Sequence, residues 1–298
     1  MNIQTKPKTL ITSEADVTPF VLAAMENTDN ARLKEIVTSL VTHLHAFVRE
    51  ARPTEEEFEQ GMHILNSIGQ ATNDGHNEAV LYADILGVST LIDLINNDGM
   101  QGETMSALLG PFYRGEAPEC ASGDSIVRCE TPGDRLVLKG RVVSTDGSPI
   151  AGATLDVWQA SPDGLYENQD PGQADHNLRG KFTTREDGTY EIVSVKPAGY
   201  PIPMDTPAGD LIRAQNRTPM RPAHVHFIVS APGCKTLVTQ IFSDTEEALL
   251  NDVVFGAKRQ IAGDLVRLED GSYTCEYDFV LKPGVPSFPE PPIKGKVG

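Results

Sequence analysis

Apolar positions along this chain repeat first at the period of a helix and later at the period of a strand. From Asn30 onward, Leu33, Ile36, Val37, Leu40, Val41, Leu44, Phe47 and Val48 form one stripe that stops before Pro53, predicting an amphipathic helix. Thr54-Glu-Glu-Glu57 has the form of a capping box and opens a second helix, with Phe58, Met62 and Leu65 turned inward. Upstream, Thr18-Pro19 reads as an N-cap with proline in the first helical position. A third helix is predicted from Asn77 to Ile95. Leu81, Ile85, Val88, Ile92 and Ile95 lie along one face and Val80, Ala83, Gly87, Leu91 and Leu94 along the next, so burial on more than one side is expected. Asp84 sits at the edge of that apolar surface, either as a structural hydrogen-bonding residue or as one that meets a polar ligand.

The texture changes near residue 97. Asn96-Asn-Asp-Gly99 breaks the helical pattern, and Gly110 to Pro118 is loop-like. From Gly133 on, short β runs alternate with turn signals roughly every ten residues, the signature of a sandwich or barrel. Leu136 to Val143 leads into a turn at Asp146-Gly147 and returns at Ala153 to Trp158 as a hairpin. Lys181 to Thr184 and Thr189 to Val195 flank Asp187-Gly188 in the same way. Leu237 to Phe242 is a further strand, with a short helix from Thr245. Tyr273, Cys275, Tyr277, Phe279 and Leu281 alternate with polar residues as one half-buried strand, and the Pro- and Gly-rich tail from Pro283 is expected to lie as an extended strap.

Composition narrows the classes of function without choosing one. No apolar run approaches the length of a bilayer span, and the segment Met1 to Thr9 lacks the apolar stretch of a signal peptide. The net charge of −17, from 25 basic and 42 acidic residues, disfavours a polyanionic partner such as nucleic acid. Cys120, Cys129, Cys234 and Cys275 show no paired spacing, so reduced thiols in a cytoplasmic setting are expected.

Candidate chemistry centres on Arg221-Pro-Ala-His-Val-His-Phe227. A strand here places His224 and His226 on one face, which is either an ordinary half-buried strand or half of a metal site. No acid follows within Phe227-Ile-Val-Ser-Ala-Pro-Gly233 and no histidine occurs downstream, so a cupin-type completion fails. A zinc hydrolase completion has only His176 to draw on in the β region and no base motif beside it. His43, His45, His63 and His76 lie in the helical region, and His43 and His45, two apart on a helix and so on different faces, read as ordinary polar-face residues. A third completion uses Tyr166, after the Pro162-Asp-Gly164 turn, and Tyr200, in Ala-Gly-Tyr-Pro-Ile-Pro. Two phenolates with two neutral imidazoles would favour Fe(III) over Fe(II).

Four segments in order carry a family resemblance: Leu108-Leu-Gly-Pro-Phe-Tyr113, Asp156-Val-Trp-Gln-Ala160 with Gly164-Leu-Tyr166, Gly199-Tyr-Pro-Ile-Pro203, and Arg221-Pro-Ala-His-Val-His226. Together they resemble the intradiol ring-cleaving dioxygenases, over essentially the whole chain, and most of all the branch acting on hydroxyquinol. The resemblance implies a mainly β fold, with a β-sandwich catalytic domain over residues 101–298 preceded by a helical dimerisation region over residues 1–100. It implies Fe(III) held by Tyr166, Tyr200, His224 and His226 with a hydroxide as fifth ligand. The substrate would bind as a dianion, displacing the hydroxide and Tyr200, which accept its protons. Arg221 and Gln240 match the pair that stabilises negative charge on the substrate.

By the same resemblance the substrate pocket is lined by Leu81, Asp84, Leu108, Gly110, Pro111, Phe112, Ile202, Pro203, Phe227 and Val254. Asp84 stands where enzymes of plain catechol are apolar, and an acid there can accept a hydrogen bond from a third ring hydroxyl. The expected reaction is cleavage of benzene-1,2,4-triol by O₂ to 3-hydroxy-cis,cis-muconate, the enol of maleylacetate, in aromatic catabolism. Phe227 is larger than the residue expected there. The N-terminal helices should form a homodimer and can enclose a lipid. Alternatives are the same chemistry on catechol or a substituted catechol and, in another class, a non-catalytic β-sandwich binding module suggested by the Gly-x-Val...Asp-Gly-x-Pro-x-x-Gly-Ala pattern over residues 140–153.

Overall fold

The computed structural model describes residues 10–97 and 102–295, so Met1 to Thr9 and Gly99 lie outside the described residues. Two compact units divide between Leu65 and Asn66. The first contains α1 (Glu14–Ala24), α2 (Ala31–Ala51) and most of α3 (Glu55–Ala71). Helix α2 begins as its sequence predicts, with the Asn30 side chain accepting from the backbone N–H of Leu33 at 3.0 Å. The capping box of α3 also forms: the Thr54 N–H donates to Glu57 at 2.8 Å, and the Glu57 N–H donates to Thr54 Oγ1 at 3.2 Å. Helix α1 differs from expectation. It starts after Ser13, with Asp16 reaching back to the Thr12 and Ser13 N–H groups, and Pro19 lies inside it. Thr18 instead joins α1 to α2 through His45 Nδ1 at 2.9 Å and Arg49 Nη1 at 3.0 Å.

The apolar stripes of α2 and α3 are exposed rather than turned inward. Leu40 and Phe47 are each 60% exposed, as is Phe58, and Leu65 is 64% exposed. Periodicity identifies an apolar face, but it does not identify what covers that face.

In the second unit, the expected helix over 77–95 is broken. Gly87 takes a left-handed conformation (φ +71°) between α4 (Glu78–Ile85) and α5 (Val88–Asn96). Helix α4 buries Leu81, Asp84 and Ile85, whereas α5 leaves Leu91, Ile92 and Ile95 exposed. The turn at Gly87 redirects the chain, so one apolar pattern has two different environments.

The strands, in chain order, are β1 (Glu119–Cys120), β2 (Arg135–Ser144), β3 (Thr154–Trp158), β4 (Arg179–Thr183), β5 (Thr189–Val195) and β6 (Tyr200–Pro201). After α6 (Pro207–Ala214) come β7 (Met220–Arg221), β8 (His224–Ser230) and β9 (Leu237–Phe242). Beyond α7 (Glu246–Leu250) lie β10 (Val266–Arg267), β11 (Tyr273–Glu276) and β12 (Phe279–Leu281). One sheet runs β1-β4-β3-β8-β9, a second runs β10-β11-β2-β12 with β5 on the other edge of β2, and β6 pairs with β7 as a ribbon. Leu155, Val157, Phe227, Val229 and Ile241 from the first sheet share a core with Leu136, Leu138, Ile192 and Phe279 from the second.

Both predicted hairpins are corrected by this topology. The turns form, with Gly147 N–H donating to Ser144 and Gly188 N–H to Arg185, each at 2.9 Å. The strands they join nevertheless part: β2 and β3 belong to different sheets, as do β4 and β5. The long alternating strand at residues 273–281 is likewise two strands, β11 and β12, both parallel to β2. Between them the backbone bends around Gly140, where a Cβ would lie 1.9 Å from the Tyr277 carbonyl oxygen. Over its described residues the tail from Pro283 forms no helix or strand, in keeping with an extended strap. Among the described residues no helix is long and apolar enough to cross a membrane, and all four cysteines are free.

Candidate active site

Strand alternation sorts β8 into two faces. Val225, Phe227 and Val229 enter the shared core, so His224 and His226 face the opposite side of the sheet. Directly paired residues extend this face into a row: Arg179 on β4, Trp158 on β3, His226 on β8 and Gln240 on β9. The Trp158 ring stacks on His226 with centroids 4.7 Å apart and planes within 9°. This stacking fixes the imidazole in one orientation.

The tyrosines reach the row from outside the sheet. Tyr200 lies on β6 directly opposite Arg221 of β7, and Tyr166 lies in the segment between β3 and β4. Gly164 permits their approach: its φ is +82°, and a Cβ there would sit 2.6 Å from Tyr200 Cβ. Gly110 plays the same part on the far wall, where a Cβ would meet His226 Cε1 at 3.2 Å. Gly164→Ala is therefore expected to destabilise the protein by about 2–4 kcal/mol through backbone strain and overpacking, read as a fall in unfolding midpoint.

Four polar atoms close a ring. Tyr166 Oη lies 2.9 Å from Tyr200 Oη, which lies 3.4 Å from His224 Nε2. His224 Nε2 lies 3.1 Å from His226 Nε2, which lies 3.1 Å from Tyr166 Oη. Donor atoms about 2 Å from one metal ion sit roughly 2.8–3.4 Å from each other, so the spacing fits a mononuclear site. The chemistry of the donors fits as well. His224 Nδ1 donates to the Pro222 carbonyl at 2.7 Å, leaving its Nε2 lone pair aimed into the ring. His226 likewise turns its Nε2 into the ring, while its Nδ1 has no hydrogen-bond partner.

Burial holds both imidazoles neutral, with Arg221 adding to the effect on His224, whose pKa drops to about 3. Burial, followed by the neighbouring His224, takes His226 well below the usual histidine range. Burial also raises Tyr166 far above an ordinary phenol, with Tyr200 adding to the shift, and raises Tyr200 itself. Phenolates here therefore need a cation. Among the described residues no group of three or more His, Cys, Asp or Glu side chains could hold a metal, so the tyrosines are integral to any such site. His176 stays outside the ring, with its Nε2 3.7 Å from Asp175 Oδ2.

Arg221 borders the ring, with Nη1 3.1 Å from His224 Nε2. Its Nη2 donates to Gln240 Oε1 at 3.1 Å, and Gln240 Nε2 donates to the Leu108 carbonyl at 2.6 Å. Beside the ring is a small cavity that Tyr166, Tyr200, Arg221 and His226 border, lined further by Leu81, Asp84, Pro111, Phe112, Ile202 and Val254, with Gly110 and Pro203. Two expected residues lie outside it. Leu108 packs behind the wall with Leu81 and Val254. Phe227 occupies the alternate position on β8 and packs in the core against Phe279, at 4.8 Å between centroids. Its size therefore does not enlarge or narrow the cavity.

Asp84 is the acid of this wall. Burial raises its pKa to about 6, against the lowering effect of a hydrogen bond from Ser89 and of the Arg221 charge. Sequence reasoning missed Trp158 as the shelf beneath His226, and missed Arg179, whose guanidinium lies 5.9 Å from the Tyr166 ring centroid. Arg179 pairs with buried Glu167 at 2.6 Å. It also missed Asp252, which pairs with Arg221 at 3.1 Å. For Trp158 and Arg179 the signal was the register of β3 and β4, which a single chain does not display.

Comparisons with known proteins define the family. The model described as "Dioxygenase" matches residues 108–283, and "Catechol dioxygenase N terminus" matches residues 30–104. A hydroxyquinol 1,2-dioxygenase of Rhizobium sp. (strain MTP-10005) is 45% identical over 87% of this chain and 88% of its own length. A 6-chlorohydroxyquinol 1,2-dioxygenase of Cupriavidus pinatubonensis is 42% identical over 90% of this chain and 97% of its own. The crystal structure of hydroxyquinol 1,2-dioxygenase from Pseudomonas putida DLL-E4 superposes with a TM-score of 0.84 at 36% identity, covering 91% of this chain and 99% of that one. The chain belongs to the intradiol ring-cleaving dioxygenase family. It is thus an enzyme of a family that uses non-haem iron, and the binding-module alternative falls away.

Proposed function

We propose that this protein is a ferric intradiol dioxygenase cleaving hydroxyquinol to 3-hydroxy-cis,cis-muconate. The observation that carries the reading is one buried acid, Asp84, in an otherwise largely apolar cavity beside the four-atom ring. A carboxylate there accepts a hydrogen bond from the third ring hydroxyl, whereas beside plain catechol only the Ser89 hydrogen bond offsets its burial. The relatives named for hydroxyquinol and 6-chlorohydroxyquinol support the same substrate class. A second reading, catechol itself, is favoured by a catechol 1,2-dioxygenase of Candida albicans that is 42% identical over 84% of this chain.

In this reading Tyr166, Tyr200, His224 and His226 would hold Fe(III), which when bound would supply an electrophilic centre for the aromatic diol. The protein's own groups do the rest. Burial favours the protonated form of Tyr200, so its phenolate oxygen is suited to take a proton from a substrate hydroxyl. Arg221, held by Gln240, faces the negative charge that develops on the ring, and Leu81, Ile202, Pro203 and Val254 exclude water around it.

The structural setting belongs to the same proposal. We infer a β-sandwich catalytic domain over residues 101–298, supported by the core that the two sheets share. We also infer a helical dimerisation region over residues 1–100, whose exposed α2 and α3 stripes suit burial against a second copy. The free thiols suit a cytoplasmic enzyme. Native mass spectrometry reads both the dimer and any lipid held within it, and a monomer at micromolar concentration would refute the dimer.

Oxygen uptake with hydroxyquinol against catechol tests the substrate, and equal efficiency on both would refute the Asp84 argument. A broad visible absorption from tyrosinate on ferric iron tests the site. Tyr166→Phe or Tyr200→Phe should shift or bleach that band, and an unchanged band in both variants would remove the tyrosine ligands.

A further inference from the structure

We propose that Asp252 is a positioning residue that locks Arg221 against the reacting face of the site by tying it to the loop after α7. The proposal rests on the reading of Arg221 given above. Asp252 follows α7 and is buried, as is Arg221. Its Oδ1 accepts from Arg221 Nε at 3.1 Å, and its Oδ2 accepts from Arg221 Nη2 at 3.3 Å. This two-point pairing fixes the plane of the guanidinium as well as its place. Nη2 also donates to Gln240, so the far edge of Arg221 is fully engaged. Nη1 is then the nitrogen presented to the ring, 3.1 Å from His224 Nε2.

The same carboxylate organises its own loop. Oδ2 accepts the N–H groups of Gly256 and Ala257, each at 3.0 Å, and Oδ1 accepts that of Val254 at 3.4 Å. Val254 lines the cavity, and its carbonyl accepts from Thr90 Oγ1 of α5 at 3.1 Å. The interactions with Arg221 and with backbone N–H groups offset the cost of burial and keep Asp252 ionised. A group that only neutralised Arg221 would need one oxygen near it. This one spends both oxygens on a geometry that ties the guanidinium to the loop after α7.

The test compares Arg221→Met, Asp252→Asn, Asp252→Glu and the double variant R221M/D252N as iron-loaded enzymes, alongside unfolding midpoints and a crystal structure of D252N. A misplacement of about 1 Å can cost ~10²-fold in rate, so kcat per bound iron should fall about that far in D252N with KM nearly unchanged. D252E keeps the charge but displaces it and should fall between D252N and wild type. R221M/D252N should be no slower than R221M, because Asp252 acts through Arg221. The guanidinium should be rotated in the D252N crystal structure. Should D252N fail to fold, D252E carries the comparison, and wild-type kcat in a folded D252E would overturn the proposal. So would losses in R221M and D252N that multiply in the double variant, or an unmoved guanidinium. An R221M enzyme with wild-type activity would overturn the role of Arg221 and this proposal with it.

Discussion

Replacing His226 with alanine should leave a folded protein that no longer holds iron. The four-atom ring contains no spare donor, and the described residues offer no cluster of other ligands nearby. Structural zinc sites with four protein ligands draw about 10–16 kcal/mol from their metal, and on that scale one ligand represents roughly 3 kcal/mol, or at least ~10²-fold in affinity. The visible band and the activity should disappear together, and metal analysis should show iron lost on dialysis. The fold should survive, because His226 rests on Trp158 and the row beside it rather than carrying the core, which lies on the other face of β8. Tight retention of iron by H226A, measured by the same analysis, would show that the ring is not the metal site.

Asp84→Ala should reverse or erase the preference for hydroxyquinol over catechol. A hydrogen bond to a charged partner contributes about 1.5–3 kcal/mol, and removal of a buried carboxylate that catechol cannot engage helps catechol at the same time. The ratio of kcat/KM values should therefore move by ~10²-fold or more, with catechol gaining in absolute terms. The wild-type ratio should also depend on pH. Burial raises the Asp84 pKa to about 6, so the carboxylate is charged above that pH and neutral below it. A buried charged acid that catechol cannot engage is costly and a neutral acid much less so. Discrimination should thus be strongest above pH 6 and weaken as pH falls through 6, with Asp84→Asn flat over the same range. A ratio that ignores pH in wild type, or that survives in D84A, would move the source of specificity to another residue.

Much of the local structure was legible in the chain, because local rules produce it. The Asn30 cap, the Thr54–Glu57 box and the two-faced strand 224–230 need only neighbours in sequence. Gly87 was read as one more residue of a continuous apolar face, and its left-handed backbone broke the helix there. The two hairpins failed for a different reason. A turn flanked by alternating strands looks identical whether the strands pair or cross to facing sheets, since each strand still buries every second side chain. Phe227 was misplaced for another reason: alternation says that it opposes His226, but the resemblance had drawn it into the pocket.

By itself, the sequence determined the family and the residue types of the site, since Arg221-Pro-Ala-His-Val-His226 and the three other motifs stand in order along the chain. It also determined that His224 and His226 share a face, because strand period is a property of the backbone alone. Only the tertiary structure decided that Trp158 lies under His226 and that Asp252 grips Arg221 from 31 residues downstream. It alone decided that the α2 stripe is left exposed. Those outcomes depend on sheet register and on what packs against a face, and neither is encoded in the spacing of residues along one segment.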